Sequence, residues 1–568
     1  MPARCPGCGG TWYQAGPDVY ICRRCDISMD REEAPQTRAE EPTVPTRASQ
    51  SQATALVEIG SQAELFHDLL GKTFAGLEIG GHREVWPLRS DRFKNWLSFQ
   101  DYRQHDGVAK NDAVSAARGV LEGQARFEGA EHTLHNRVAW HEGAIYYDLC
   151  DSRWRSVRID GDGWRIVERP PILFRRYDHQ FAQVEPARGG DIRAVLEFLN
   201  VRSCDHPLLL AWLVSAFVPD IPHPIPDFHG DKGSGKTVGQ RVLRRLVDPS
   251  KIETLAFPRD KQELVQQLAH HYAPVYDNLT NLHSSLSDML CRAITGEGFS
   301  KRQLYTDDED MIYSYRRVIL LNGINVVAQK SDLLDRVILF LLERIPREKR
   351  RPESQFWAEF EEAQPHIIGA IFDALSQAMS IQRDLIVPNL ERMADFTRWG
   401  AAIAEVLGYG SAAFIDAYAA NVRIQTREAV EGHIVGAAVL ALMGGKTEWS
   451  GTSTELLAAL EEAGVRERLF KRTMSGKVDA KGWPGGPQIL SRRLNEIRSN
   501  LADLGIEISR GDERAITIQR VGSEGVKSSV GSVDSVGTKL VGSHTKDGTD
   551  ATDGIIPDSG TQWEKTIE

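Results

Sequence analysis

Residues 230–237 read Gly230-Asp-Lys-Gly-Ser-Gly235-Lys236-Thr237 and match G-x-x-x-x-G-K-[ST] at every defined position. A proline-rich, extended segment over 221–229 precedes this stretch, and the pattern predicts a helix over 238–246 after it. Glycines let backbone N–H groups turn toward phosphates, the lysine neutralises them and the threonine binds Mg²⁺. The alternative is a glycine-rich turn that binds nothing. The match predicts a site for ATP and Mg²⁺ formed by Gly230, Gly233, Ser234, Gly235, Lys236 and Thr237.

An acidic residue on a neighbouring strand has to complete such a site. Asp277 lies 41 residues after Lys236 at the end of a short apolar stretch, and we predict that it holds Mg²⁺. Asn278 follows, where many ATPases have a glutamate that activates water. Asparagine can orient water but cannot accept its proton. The base therefore lies elsewhere, for instance in the acidic run 307–310, or hydrolysis is slow or depends on a partner; that run also suits a solvated turn.

Two further polar residues border apolar strands. Asn322 ends the stretch Arg317-Val-Ile-Leu-Leu, which suits a residue that senses the γ-phosphate. Fourteen residues later, Arg336 stands at the start of Val-Ile-Leu-Phe and suits an arginine finger that reaches a neighbouring subunit. The alternative for Arg336 is a salt bridge with Asp332 or Asp335. The order loop, Asp, Asn, Arg favours the finger.

This motif order resembles the superfamily-three helicases, and more closely the ATPase part of phage- and poxvirus-type primase-helicases. Those proteins have a Thr-Gly-Gly-Asp-like turn followed by Arg-Leu-Tyr, which here reads Thr295-Gly-Glu-Gly298 and Arg302-Gln-Leu-Tyr305. The resemblance covers about residues 191–345. It implies an AAA+-like ring, usually a hexamer, that moves along DNA. It also makes Lys301 and Arg302 candidate DNA contacts, with ordinary surface charge as the alternative, while Asn278 departs from the pattern.

The first 30 residues contain two CxxC pairs. Cys5, Cys8, Cys22 and Cys25 have the spacing of a zinc ribbon, in which four thiolates form a closed, structural Zn²⁺ site. Iron in a rubredoxin-like site is the alternative. Aromatic and arginine residues in this segment suit nucleic-acid binding, although zinc ribbons also bind proteins. The other three cysteines, Cys150, Cys204 and Cys291, are interpreted as packing residues.

The segment 396–520 is predicted to be helical and to end in a winged helix. A helix over 453–464 is followed by one that begins at Pro487, whose apolar seam Leu490, Leu494, Ile497, Leu501 and Leu504 faces inward, and then by two strands. Residues 466–498 hold nine Lys/Arg and three Asp/Glu. The predicted DNA contacts are Arg492, Arg493 and Arg498. The alternatives are packing or protein contacts, and Glu496 would repel phosphate.

Composition bounds the remaining interpretation. The 568 residues are 41% hydrophobic and 26% charged with net charge −11, which suits a folded multidomain protein and argues against a general basic coat. The start of the chain lacks a signal core, and the longest apolar run, 208–218, is too short for a bilayer. We therefore expect a cytoplasmic protein with no membrane contact.

The predicted fold class is multidomain α/β. The predicted segments are a zinc ribbon (1–30), a linker (31–55), an α+β accessory domain with an antiparallel meander (56–190), an AAA+-like P-loop ATPase core (191–395), a helical and winged-helix domain (396–520) and a disordered tail (521–568) in which Val-Gly-Ser recurs. The accessory segment shows no polymerase constellation, and Asp160-Gly-Asp162 reads as a turn.

We expect an ATP-dependent DNA helicase or translocase that replicates a phage, prophage or other mobile element. It would work as a ring-shaped homo-oligomer on single-stranded or forked DNA, with a primase or other replication proteins as partners. The alternative is an ATP-dependent DNA-binding assembly switch, such as an origin-binding or loader-like protein, that does not unwind. A P-loop kinase is a third class, against which the order of Asn322 and Arg336 argues.

Overall fold

The structure is a computed structural model, and it describes residues 5, 8, 11–15, 19–25, 27–30, 51–279, 282, 284–297, 299–302, 310–313, 316–328, 330–388, 390–473, 478–511 and 515–521. The chain divides into two compact units, residues 1–62 with 91–121, and residues 63–90 with 122–568. Across the described ranges, no helix combines the length and apolarity that crossing a membrane requires. The predicted tail from 522 onward lies outside the described residues.

The first unit contains a small antiparallel sheet and helices. The strands are Trp12–Gln14, Val19–Cys22 and Ser28–Asp30, and the helices are Gln52–Gly60, Asp91–His105 and most of Asn111–Phe127. Ser51 caps the first helix by accepting the Thr54 backbone N–H at 3.2 Å. Residues 52–55 of the predicted linker are therefore helical, because this cap starts the helix earlier than composition indicates; residues 31–50 lie outside the described part.

The second unit begins with two four-stranded sheets. In spatial order, one contains His82–Pro87, Thr73–Ile79, Glu64–His67 and Ala130–Glu131, and the other contains Gly163–Val167, Ser156–Asp160, Ala144–Asp148 and Val138–His141. The second sheet is antiparallel throughout and is the predicted meander. Asp160 accepts the Asp162 backbone N–H at 3.0 Å, so these two residues shape a turn as expected. A short parallel pair, Leu134–His135 with Leu173–Phe174, lies nearby in the chain.

A parallel four-stranded sheet forms the centre of the second unit, as the alternation of strand and helix signals predicts. Its spatial order is Val275–Leu279, Leu320–Gly323, Ile225–His229 and Val337–Leu341. The strand Ile225–His229, here called the P-loop strand, is therefore flanked by the strands that carry Asn322 and follow Arg336. Parallel strands place their carboxyl ends at one edge of a sheet, so residues that follow these strands meet there.

Helices cover this sheet and share one hydrophobic core with the meander. The apolar run noted in the sequence forms the helix His206–Ser215, of which every residue from Pro207 onward is buried. The other helical segments in the described ranges up to the C-terminal region are Ile192–Phe198, Ser203–Asp205 and Arg347–Lys349 (3₁₀), and Lys236–Val247, Lys261–His270, Ser284–Thr295, Ser331–Leu334, Glu353–Ile381, Ala394–Val406, Ser411–Gly432 and Ile434–Met443.

The last turn of the helix Lys236–Val247, here called the P-loop helix, is tied to the meander. Gln183 donates to the carbonyls of Leu246 at 2.8 Å and Arg245 at 3.1 Å. The Tyr147 hydroxyl, on a meander strand, donates to the carbonyl of Val247 at 3.1 Å. These bonds satisfy carbonyls that the end of a helix leaves without intrahelical partners.

Apart from a small hairpin, the C-terminal region consists of one strand, three helices and two further strands, in this order along the chain. Its sheet contains Glu448–Gly451, Ile516–Arg520 and Ile506–Arg510 in spatial order, and its helices are Ser453–Arg466, Pro487–Glu496 and Arg498–Asp503, with a small hairpin of Lys471–Arg472 and Val478–Asp479. The predicted long helix after Pro487 is wrong, because Ile497 leaves helical geometry at φ −119° and divides it. The predicted seam from Leu490 to Leu501 is nevertheless buried.

Candidate nucleotide site, finger residue and zinc cluster

The predicted nucleotide loop connects the P-loop strand to the P-loop helix. Gly230 has φ +139°, and a Cβ there would lie 2.2 Å from the Leu342 carbonyl oxygen, so a side chain does not fit. Gly233 and Gly235 have φ +78° and +82°, in the left-handed region that glycine adopts without strain. Gly235 is the N-cap of the helix, which directs helical N–H groups toward the loop. This backbone suits a phosphate group.

Lys236 lies within this loop with its ammonium group held by main-chain oxygens. Its Nζ donates to the carbonyls of Gly230 at 2.7 Å and Asp231 at 2.8 Å. Burial lowers the pKa of Lys236, while the carboxylates of Asp231 and Asp277 act in the opposite direction. The ammonium group thus lies inside the loop, next to the position that the motif assigns to phosphate oxygens.

Asp277 and Thr237 meet across the site. The Thr237 hydroxyl donates to Asp277 Oδ1 at 3.2 Å, although the residues are 40 positions apart. A hydroxyl and a carboxylate at this separation are the oxygen ligands that Mg²⁺ takes beside phosphates. The donor set therefore fits the ion, and Thr237 and Asp277 are the residues that would hold it.

Asn278 and Asn322 are linked to each other and to a residue that the motifs do not include. Asn322, which is 1% exposed, accepts the Asn278 backbone N–H at 2.8 Å and donates to Gln240 Oε1 at 2.8 Å. Asn278 has φ +58° and an exposed side chain. Gln240 could have been found from the sequence, since it lies one helical turn after Lys236 on the same face. The network fixes the backbone next to Asp277.

These groups border a cleft of about 380 Å³. Its lining includes Lys236, Thr237, Asp277, Asn278 and Asn322, so the structure brings together all of these predicted site residues. Among the described residues that line it, Asp277 is the only carboxylate. Residues 307–309 of the acidic run lie outside the described part, and of residue 310 only the backbone is described.

Arg336 lies at the other end of the sheet. Its carbonyl accepts the N–H of Ile225, which is the first residue of the P-loop strand. The nucleotide loop, in contrast, follows His229, the last residue of that strand. Its guanidinium donates to Asp332 at 2.5 Å, which is one of the two salt bridges considered as alternatives to a finger. The other carboxylate, Asp335, pairs instead with Arg392, which belongs to no sequence motif and also donates to Asp332 at 3.0 Å.

The four N-terminal cysteines form a cluster in the first unit. Their Sγ atoms lie within 4.8 Å of one another, with 3.6 Å for Cys5–Cys25, 3.5 Å for Cys8–Cys22 and 3.3 Å for Cys8–Cys25. Zn–S bonds of about 2.3 Å in a tetrahedron require S···S separations of about 3.8 Å. The backbone N–H of Arg24 donates to Cys22 Sγ at 3.4 Å and lowers the pKa of that thiol to about 7. The cluster therefore fits Zn²⁺, with four thiolates as its ligands.

The predicted DNA contacts lie in two places. Lys301 and Arg302 are on the strand Phe299–Arg302, which pairs antiparallel with Asp310–Tyr313, and residues 303–309 lie outside the described residues. Arg492 and Arg498 are exposed. Arg493 instead pairs with Glu496 at 2.9 Å, so part of the positive charge on this helix is neutralised within the protein.

Two models of replication protein families match the chain between residues 192 and 532. Residues 192–424 match a family model described as the actinomycete integrative conjugative element replication protein, AICE RepA, and residues 435–532 match the AICE RepA C-terminal domain. The chain is similar to a replication protein of a conjugative element. The match to the replication protein model covers the parallel sheet, the nucleotide loop and Arg336. No curated protein gives a significant match.

Among solved structures, the chain is similar to the apo structure of the NrS-1 C-terminal region (305–718) at 12% identity and a TM-score of 0.38, covering 84% of this chain and 100% of that one. It is also similar to the structure of JCV helicase bound to a phenoxyphenyl acetamide compound at 14% identity and a TM-score of 0.23, covering 42% of this chain and 64% of that one.

Proposed function

We propose that this protein is an ATP-dependent DNA helicase or translocase for the replication of an integrative or other mobile element. One observation carries the proposal: Lys236 and Thr237, which follow the glycine-rich loop, share one cleft with Asp277 and Asn322, which two strands of the parallel sheet supply. Phosphate charge is held by Lys236 and loop N–H groups, and bound Mg²⁺ would add Lewis-acid stabilisation of the phosphate oxygens. The matches to replication protein families support the biological setting.

The proposal includes a ring of superfamily-three type in which nucleotide binds between subunits. Arg336 would reach the γ-phosphate of the neighbouring subunit, because it lies at the sheet edge opposite its own nucleotide loop. DNA would contact Lys301 and Arg302 of the strand Phe299–Arg302. It would also contact Arg492, Arg493 and Arg498 of the C-terminal region, which would act as a winged helix. The cysteine cluster would hold structural Zn²⁺, and a primase or other replication proteins would act with the ring.

A strand-displacement assay on forked DNA tests the proposal. We expect ATP-dependent unwinding by the full chain and its loss in Lys236→Ala. Lys261→Ala, which removes an exposed lysine outside the cleft, is the matched control and should unwind normally. Unwinding by Lys236→Ala that equals the wild type would contradict the role of the loop.

The second candidate function is an ATP-dependent assembly switch that binds DNA without unwinding it. Asn278 favours it, because the described part of the cleft has Asp277 as its only carboxylate and Asn278 cannot accept a proton from water. In that case ATP binding and ring formation are retained in the wild type while strand displacement is absent. Electron microscopy of particles with ATP and DNA, combined with the unwinding assay, separates the two functions.

A further inference from the structure

A second cavity of the second unit lies away from the nucleotide loop. It measures about 650 Å³ and has His223, Tyr272 and Val318 in its wall. Each of these residues lies two or three positions before a strand of the parallel sheet, so the cavity adjoins the amino edge of that sheet. The nucleotide loop follows the carboxyl end of the P-loop strand. The two sites are therefore separate, and this cavity has a size within the range of about 300–1,000 Å³ that is typical of ligand pockets.

Positive charge dominates the lining. Four cationic side chains, Lys72, Arg175, Arg316 and Arg317, line the cavity together with two carboxylates, Asp68 and Asp220. Asp68 accepts the backbone N–H groups of Leu70 and Lys72, both at 2.9 Å, and Arg317 donates to the Leu268 carbonyl at 2.6 Å. Arg316 likewise donates to the Thr295 carbonyl at 3.2 Å. Because these partners are backbone groups, they leave the charges unchanged, and the cations of the lining outnumber its carboxylates by two.

Among the four cations, Arg175 is the one best placed to bind an anion in the cavity. Its guanidinium lies 4.9 Å from the centre of the Tyr177 ring, and no carboxylate among the described residues lies within ion-pair distance of it. Burial and the neighbouring charge of Arg175 together lower the pKa of Lys72. Two cations held close together in a partly buried cavity favour an anion between them.

A buried acceptor complements this charge. His223 is 3% exposed, and its Nε2 donates to the Ser215 carbonyl at 2.8 Å, which places the ring hydrogen on Nε2. Its Nδ1 is buried and has no hydrogen-bond partner in the described part of the chain. A buried ring nitrogen without a partner is costly, and here it can accept only from an N–H or O–H group.

The remaining lining is apolar. Leu69, Leu70 and Leu134 lie around the cavity with Val318, and the first two are 67% and 41% exposed. A ligand that fits combines an anionic group, a hydrogen-bond donor and a flat apolar part. A nucleotide has all three, in its phosphate, its sugar or base donors and its base.

We propose that this cavity binds a nucleoside phosphate, either a free nucleotide or the phosphorylated end of a nucleic-acid strand. Arg175 and Lys72 hold the phosphate, His223 Nδ1 accepts from the sugar or base, and the leucines contact the base. This gives the chain a second nucleotide site, independent of Lys236 and of the proposed ATPase activity.

Equilibrium dialysis of the full chain with radiolabelled ADP tests the proposal by stoichiometry. We expect two ADP per chain for the wild type, one for Lys236→Ala, one for Arg175→Gln and none for the double variant. Arg165→Gln, an exposed arginine of the meander, is the matched control and should bind two. Arg175→Lys should retain the second site with affinity reduced about tenfold, because it keeps the charge and loses the planar donor pair.

Competition experiments identify the ligand, and a second variant tests the site if the first one is unfolded. In Lys236→Ala, competition by oligo(dT) with a 5′-phosphate but not with a 5′-hydroxyl assigns the site to a strand end, and absence of competition by either assigns it to a free nucleotide. Lys72→Gln replaces Arg175→Gln if thermal melting shows that the latter is unfolded. One ADP per wild-type chain, or displacement of ADP from Lys236→Ala by inorganic phosphate at equal concentration, overturns the proposal. Loss of unwinding with the second site intact contradicts only the helicase assignment.

Discussion

The proposed contact of Arg336 with the nucleotide of a neighbouring subunit leads to a quantitative prediction for rings assembled from two variants. Ile225, whose N–H bonds to the Arg336 carbonyl, and His229, which precedes the nucleotide loop, are four residues apart on one strand. At about 3.3 Å per residue the two ends are separated by about 13 Å. Arg336 is therefore remote from its own loop, and the proposed contact with a γ-phosphate requires a second copy of the chain.

The test mixes two variants, Lys236→Ala and Arg336→Ala. Removal of an arginine finger costs about 10³–10⁵ in rate, so each variant alone should hydrolyse ATP at a negligible rate. In a head-to-tail ring assembled from equal amounts, about a quarter of the interfaces combine an intact loop with an intact arginine. We expect the mixture to recover about a quarter of the wild-type ATPase rate after the subunits are exchanged.

The control is a mixture of Lys236→Ala with the double variant that lacks both residues, which contains no intact interface and should stay inactive. If the ATPase rate of the mixed single variants equals the average of their separate rates, Arg336 does not act across subunits. The ion pair between Arg336 and Asp332 has one partner that is 53% exposed, so its loss should cost less than about 1 kcal/mol in folding free energy. An unchanged melting temperature of Arg336→Ala would show that the lost activity is not due to unfolding.

Three other predictions concern metal, a buried ion pair and pH. Chelation or Cys22→Ser should remove one Zn²⁺ per chain, measured by atomic absorption, and undiminished zinc would contradict the ribbon. Arg137 is fully buried and lies 2.9 Å from a buried carboxylate, so Arg137→Met should lower the free energy of unfolding by about 3–5 kcal/mol, measured by urea unfolding. Arg165→Met, at an exposed position, should change it by no more than about 0.5 kcal/mol. Burial and Arg244, which donates to His271 Nδ1 at 2.9 Å, lower the pKa of His271 to about 3. The unfolded chain then takes up the proton first, at about pH 6.5, so stability should fall as pH decreases from there toward about 3; His271→Asn should flatten that decrease, and an unchanged slope would argue against it.

The sequence predicted the parts of the site that depend on local order. Lys236 and Thr237 follow a glycine pattern, and Asp277 and Asn322 come with short apolar strands, so a parallel sheet brings them to one edge. That inference needs no knowledge of tertiary packing. The meander was predictable for the same reason, because turn residues separate its strands in the sequence.

Other features depend on contacts between distant segments. Arg392 reaches Asp335 across 57 residues, and the cationic cavity combines side chains from segments near 70, 175, 223, 270 and 316. No periodicity connects such positions. The break at Ile497 was missed for a different reason: the apolar seam keeps its spacing through the break, so the pattern is insensitive to one residue that leaves helical geometry.

The hydrogen bonds at the end of the P-loop helix have a mechanical consequence. Gln183 and Tyr147 bind the last carbonyls of the helix whose first turn holds Lys236 and Thr237. Because these bonds are buried, a tilt of that helix would have to break them or carry their donors along. We therefore expect the meander, which carries Tyr147, to move together with the helix, so that nucleotide binding at Lys236 would be felt by a sheet that does not line the nucleotide cleft.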